Sequence, residues 1–244
     1  MYQYEAVIEV MKRKGGYATL AYLYQNALKI EGCEWKTKTP YASIRRIVQD
    51  DRFFFRIKPG LWALKSHQDQ VLQHFGLTED SPKHREQELD HSYYQGLLVE
   101  IGNFKGFKTF VPYQDKNRLY LNLPLSNYAT LDTFYKFTYE HVVRRAITVD
   151  VTWFNSRMYP QSFFEIEHTT DIQNSLLKFV ELQDFYVEFF IVGDISRRKE
   201  FDAKLSYSAF EAISERVKFI DYVYLSRLHA RSAELYELQH GGVL

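Results

Sequence analysis

Apolar positions recur at a helical period along the first part of the chain. In AVIEVMKRKGG, Val7, Ile8 and Met11 share one face, and Gly15-Gly16 ends the run. ATLAYLYQNALK repeats the period with Leu20, Leu23, Tyr24, Ala27 and Leu28. Thr39 before Pro40, a favoured first helical residue, predicts a third helix over TPYASIRRIVQD. Its inward residues are Ile44, Ile47 and Val48, which leaves Arg45, Arg46 and Gln49 for the outer side. RFFFRIKPG and LWALK then read as two short strands turned at Pro59-Gly60. Three helices and a hairpin predict a small winged helix-turn-helix domain over residues 1–66.

Residues 67–90 are polar and read as a connector, with a short helix around Val71, Leu72 and Phe75 that Gly76 ends. Ser81-Pro82 predicts the start of a longer helix with a buried stripe of Tyr94, Leu97, Leu98 and Ile101 and a stop at Gly102. Glu100 falls on the flank of that stripe. AITVDVTWF alternates as a strand does, with Ile147, Val149, Val151 and Trp153 on one face, and SFFEIEH follows as the next strand. The short spacer, Asn155 to Ser162, makes an antiparallel hairpin the economical connection. Thr170 or Asp171 then caps a helix buried through Ile172, Leu176, Phe179 and Val180. YVEFFIVGD, almost continuously apolar, has the composition of a strand covered on both faces. A helix in YSAFEAISERV, a strand in KFIDYVYL and a last helix complete residues 91–240. The fold class expected there is α/β, a layered sandwich around a mixed sheet.

Charge changes this picture by dividing it. The chain carries 31 Lys+Arg and 31 Asp+Glu, yet residues 1–66 hold 12 basic against 6 acidic residues. A basic head joined to an acidic body suggests a partner rich in phosphate for the first and a cluster of carboxylates in the second. A head that docks on protein, its arginines merely solvated, is the alternative. Cys33 is the single cysteine, so no intrachain disulfide or thiolate zinc cage can form. No apolar run approaches membrane-spanning length, and a reducing, cytoplasmic setting is expected. No GxGxxG, Walker lysine loop or GxSxG elbow occurs, so no nucleotide cofactor and no serine hydrolase chemistry is expected.

The sharpest chemical signal is FFEIEH. Alternate strand residues share a face, so Glu165 and Glu167 point the same way about 7 Å apart. Asp150 joins them if the hairpin register sets it opposite Glu165. Three uncompensated carboxylates in a sheet this apolar would be costly. A hard divalent cation, Mg²⁺ with Mn²⁺ as a substitute, would relieve the repulsion by taking oxygen ligands. The competing reading is a solvated sheet face carrying alternate acids.

From Ala6 to Leu64, with the closing Gly60-Leu61-Trp62-Ala63-Leu64, the head resembles the HARE-type winged-helix domains. That resemblance implies binding of double-stranded DNA, with Lys36, Lys38, Arg45, Arg46, Arg56 and Lys58 contacting phosphates or grooves and Ser43 and Gln49 beside them. The order helix, hairpin, helix, strand, with Asp150 and then Glu165-Ile166-Glu167, resembles the PD-(D/E)XK nuclease superfamily. It implies Asp150 and Glu165 as metal ligands through carboxylates, Ile166 through its carbonyl, and Glu100 as the acid some members add from the first helix. Most members place Lys where this chain has Glu167. Glu167 would then accept the proton of the attacking water or help to hold a second metal, and Lys178, one helix further on, is the candidate displaced cation. Arg144, Arg145, Arg197, Arg198 and Lys199 are candidate phosphate clamps. The implied function is Mg²⁺-dependent, sequence-specific DNA cleavage by a homodimer. A DNA-binding regulator whose nuclease-like body only dimerises is the alternative.

Overall fold

Helix α1 (Gln3–Arg13) buries Ala6, Val7, Val10 and Met11 and ends before Gly15 and Gly16, both with φ near +90°, a conformation that glycine adopts readily. The computed structural model describes residues 1–78 and 83–241, so the expected helix start at Ser81-Pro82 lies outside the described residues. Two compact units divide the chain. One comprises Met1–Glu86 with Ser226–Leu244, and the other Gln87–Leu225. Boundaries at 66 and 90 were expected from composition.

In the first unit a three-residue strand, β1 (Tyr17–Thr19), precedes α2 (Leu20–Asn26). The Thr19 hydroxyl accepts from the Tyr22 N–H at 3.2 Å and so caps α2. Helix α3 (Pro40–Ile47) starts where Thr39-Pro40 placed it. Strands β2 (Phe54–Lys58) and β3 (Leu61–Leu64) form the expected antiparallel hairpin. β1 joins its other edge, giving the order β1-β3-β2. Helix α4 (Gln68–His74), in the segment read as a connector, packs here: Tyr17 Oη lies 3.0 Å from His74 Nε2, and its ring meets Phe75 edge-on at 4.8 Å.

Helix α5 (Lys83–Phe104) runs on through Gly102, where a helix stop was expected. A Cβ at Gly102 would lie 2.5 Å from Thr109 Cγ2 and 2.7 Å from Trp153 Nε1. That glycine permits close packing, and Gly106, with φ +78°, follows the true end. Strand β4 (Lys108–Phe110) comes next, then the small pair β5 (Leu119–Tyr120) and β6 (Leu123–Pro124), and helix α6 (Glu140–Ala146). The alternation starting at Ala146 predicted strand, but strand begins only at β7 (Val151–Phe154), because α6 and its C-terminal turn take the residues before it.

Strand β8 (Pro160–Glu167), helix α7 (Ile172–Val180), strand β9 (Glu188–Gly193), helix α8 (Arg198–Leu205), strand β10 (Val217–Asp221) and helix α9 (Tyr222–His240) complete the order. Asp171 is the cap of α7, accepting from the Gln173 N–H at 2.9 Å. The run over 208–213 is a 3₁₀ helix, and the basic triplet opens α8. The mixed sheet has the order β10-β9-β8-β7-β4, antiparallel from β4 to β8 and parallel from β8 to β10. One face buries Phe163, Phe189, Ile172, Leu176 and Phe179 beneath α7. On the other face Phe164 stacks on Phe190, and Trp153 donates to the Leu98 carbonyl of α5 at 3.0 Å. Among the described residues no helix is long and apolar enough to cross a membrane.

Candidate active site

The C-terminal end of β8 carries the two glutamates on the face covered by α7. Each is only 4% exposed. Helix α7 meets them with Ser175 and Lys178, three residues apart and therefore on one helical face. Lys178 Nζ donates to Glu165 Oε1 at 2.8 Å and Oε2 at 2.9 Å. The Ser175 hydroxyl lies 3.1 Å from Glu165 Oε2 and also contacts Glu167 Oε1, so one proton is shared between the two acids. Glu167 accepts from the Thr170 hydroxyl, and Arg197 Nη1 lies 4.0 Å from it. The chain therefore supplies hydrogen-bond and charge partners of its own for the crowded pair.

Asp150 immediately precedes β7. The register that sets Val151 opposite Phe164 brings Asp150 level with Glu165 when continued by one step. Its Oδ2 accepts from the Ile166 N–H at 2.7 Å, and its Oδ1 lies 3.5 Å from His91 Nε2. Gln95, one turn after His91 on α5, donates from Nε2 to the Asp150 carbonyl at 3.1 Å and to Asp115 Oδ2 at 2.9 Å. Arg118 Nε holds the other oxygen of Asp115 at 3.0 Å.

These contacts drive the acids apart in proton affinity. Burial, followed by the charge of Asp150, raises Glu165 to a pKa of about 8 against the opposing pull of Lys178 and Ser175. Burial also works against ionisation of Asp150. The hydrogen bond and charge of His91 and the N–H of Ile166 outweigh it, and the carboxyl falls below its usual range. His91 is raised in turn: burial opposes its cation, but the hydrogen bond and charge of Asp150 prevail. One carboxylate stays charged beside another that readily holds a proton, an arrangement suited to accepting a cation or moving a proton.

Residues 76–240 match the family model of the type II restriction enzyme NmeDI C-terminal domain. The chain belongs to this NmeDI C-terminal domain family. The matched span contains every residue of the acid cluster. No curated protein and no solved structure matches the chain.

Within the part shared with the NmeDI family, Glu100 faces away from the cluster. It accepts from Tyr120 Oη at 2.5 Å. Nine residues separate it from His91, about two and a half helical turns, which sets the two on opposite sides of α5. Gln95, Asp115 and Ser175 complete the site and were not singled out from sequence, whereas Thr170 was read only as a helix cap and His91 only as too far from His84 to share an ion. Ser175 within an apolar helix and the i, i+4 pair His91/Gln95 beside a buried stripe were the available signals. Asp115 sits in a loop with no periodicity to reveal it.

Of the basic candidates, Arg197 turns inward, donating to Glu200 at 2.9 Å and to the Thr170 carbonyl at 2.6 Å. Arg198 pairs with Asp202 at 3.0 Å and Arg144 with Glu140 at 3.4 Å, while Arg145 and Lys199 are exposed. In the first unit Lys36 and Lys38 are exposed, and Lys36 lies 3.4 Å from Glu34. Ser43, Arg46 and Gln49 line an open groove with Gln3 and Tyr4. Arg56 Nε contacts the Lys58 carbonyl at 3.4 Å, and Lys58 lies over the Phe75 ring. Arg45 is the exception to the expected outer set. Its Nη1 donates at 3.2 Å to both Tyr24 Oη and Glu234 Oε2, so its guanidinium ties α3 into the unit.

Proposed function

We propose that the protein is a type II restriction-like DNA endonuclease of PD-(D/E)XK type that hydrolyses phosphodiester bonds with a divalent cation. The observation that carries this reading is the contact of Lys178 with Glu165 beside Asp150, inside the span matched to a restriction-enzyme family. The order α5, β4, β7, β8, α7, β9 supports it too, because it presents the aspartate at the start of one strand and the paired acids at the end of the next.

The donor set fits Mg²⁺. Asp150 and Glu165 offer carboxylate oxygens and Ile166 a carbonyl, all hard ligands. Burial and the charge of Asp150 both disfavour the ionised form of Glu165, and a cation held by the two carboxyls would offset that cost. When bound, the cation contributes charge neutralisation at the phosphate and acidifies water.

The chain's own groups do the rest. Lys178 supplies the positive charge that most superfamily members place at the position of Glu167, and it faces the phosphate as negative charge builds on the departing oxygen. Glu167, oriented by Thr170 and Ser175, takes the proton of the attacking water. Arg197 holds the Glu167 side of the site by its bonds to Glu200 and the Thr170 carbonyl.

The first unit serves as a winged helix-turn-helix that binds duplex DNA. Its element order, its β1-β3-β2 sheet and its 12 basic against 6 acidic residues over 1–66 support this. Arg46, Lys36, Lys38 and Arg56 would contact phosphate, with Ser43 and Gln49 near the bases. Cutting both strands with one such cluster per chain calls for a two-fold pair of chains. Incubation of mixed-sequence plasmid with the protein in Mg²⁺ tests the proposal. Cleavage that fails with Asp150→Ala supports it, and retained binding without cutting in Mg²⁺ or Mn²⁺ would refute it.

A further inference from the structure

Next to the Asp150–Glu165 pair the fold gathers a second donor set from three distant segments. One ligand atom each from His91, Asp115 and Asp150 lies within 4.8 Å of the others. His91 Nε2 and Asp150 Oδ1 stand 3.5 Å apart. That separation is at the long end for a hydrogen bond. Two donors each about 2.1 Å from one tetrahedral ion stand about 3.4 Å apart.

An independent feature points the same way. Gln95 is fully buried, and its amide nitrogen bridges Asp115 and the Asp150 carbonyl. The oxygen of that amide, Oε1, is buried without a hydrogen-bond partner. Such an atom costs free energy unless a donor or a cation meets it. Arg118 and Gln95 hold both Asp115 oxygens, in the way that outer partners orient metal ligands.

We propose that His91, Asp115 and Asp150 form a binding site for a second divalent cation of borderline type, Mn²⁺, Co²⁺ or Zn²⁺. The imidazole decides the class: Mg²⁺ favours oxygen alone, whereas an N,O,O set suits the later first-row ions. The site adjoins the proposed hydrolytic centre and shares only Asp150 with it. Glu165 and Lys178 belong to the hydrolytic centre alone.

The test uses Mn²⁺ alone, added to the full chain, with pulsed electron paramagnetic resonance to detect coupling from a ligand nitrogen. The wild type should show nitrogen coupling, Glu165→Gln should keep it and His91→Ala should lose it. Asp115→Asn, a near-isosteric change that guards against misfolding of the histidine variant, should weaken Mn²⁺ binding about tenfold or more. No nitrogen coupling in the wild type, undiminished coupling in His91→Ala, or unchanged affinity in Asp115→Asn would overturn the inference. DNA cleavage without nitrogen coupling would overturn this site and leave the hydrolytic reading intact. Nitrogen coupling without cleavage would support the site and count against that reading alone.

Discussion

Lys178 Nζ lies 2.8 Å from Glu165 Oε1 and reaches it from helix α7, not from the strand that carries the glutamate. The two elements have different periods, and the match between them is local. Strand spacing sets Glu165 and Glu167 side by side, and helix spacing sets Ser175 and Lys178 above them. The fold thus offsets part of the cluster's charge through the Lys178 ammonium.

Replacing Lys178 by Met removes that charge while preserving most of the side-chain volume. Glu165 can answer by holding its proton more firmly, so the folded state should survive with a small loss of stability. Cleavage should fall by about 100-fold or more, the usual effect of deleting a group that stabilises transition-state charge. Single-turnover cleavage of duplex DNA, alongside thermal unfolding, separates the two effects. An unchanged cleavage rate would remove Lys178 from the reaction.

Glu165 makes stability depend on pH. Its folded pKa of about 8 is above the unfolded value near 4.5, so the folded state binds a proton more tightly than the unfolded one. The associated stability is fully present below pH 4.5 and is lost as pH rises towards 8. Glu165→Gln removes this dependence. In metal-free buffer the melting temperature of the variant should therefore gain on that of wild type between pH 5 and 8. Parallel curves would show that Glu165 titrates normally. By the same linkage, cation binding should release a proton and strengthen towards pH 8.

The neighbouring arginines of α3 should behave differently. Arg46→Ala should weaken DNA binding for all sequences and lower the salt slope by about one unit. Arg45→Ala should instead lower thermal stability, because Tyr24 and Glu234 lose a shared partner that is partly buried. Binding titrations over a salt series and melting curves give the comparison. Equal effects on DNA affinity would mean that Arg45 leaves its internal partners to reach phosphate.

What the sequence disclosed follows from which signals are local. The hairpin of β7 and β8, the shared face of Glu165 and Glu167, the cap at Asp171 and the covered strand β9 each follow from a period or a cap within a few residues. The strand onset at Val151 was misplaced because α6 ends in residues that also alternate. Gly102 looked like a stop because a glycine needed for close packing and one needed for a turn are identical in sequence. The compensation of the acids by Ser175, Thr170 and Arg197, and the convergence of His91 with Asp115, depend on long-range folding. No spacing rule along the chain announces them.

Gly102→Ala tests that packing argument. The added methyl would meet Thr109 and Trp153 at under 3 Å, and overpacking of this kind typically costs about 1–3 kcal/mol. Urea unfolding, read through Trp153, should show the loss. At Gly106, where a Cβ meets nothing within 4 Å, a substituted residue would be strained only by the φ of +78°. Substitution there should leave the environment of Trp153 unaltered, and a shift in its signal would contradict this division of roles.

In the proposed reaction, Asp150 and Glu165 hold the cation on which hydrolysis depends. Calorimetric titration of Mg²⁺ into wild type and into Asp150→Asn tests it most directly, since the substitution keeps the size of the side chain and removes its charge. The wild type should bind Mg²⁺ saturably, and the variant should lose that binding. Equal binding by both proteins, or no binding by the wild type, would contradict it.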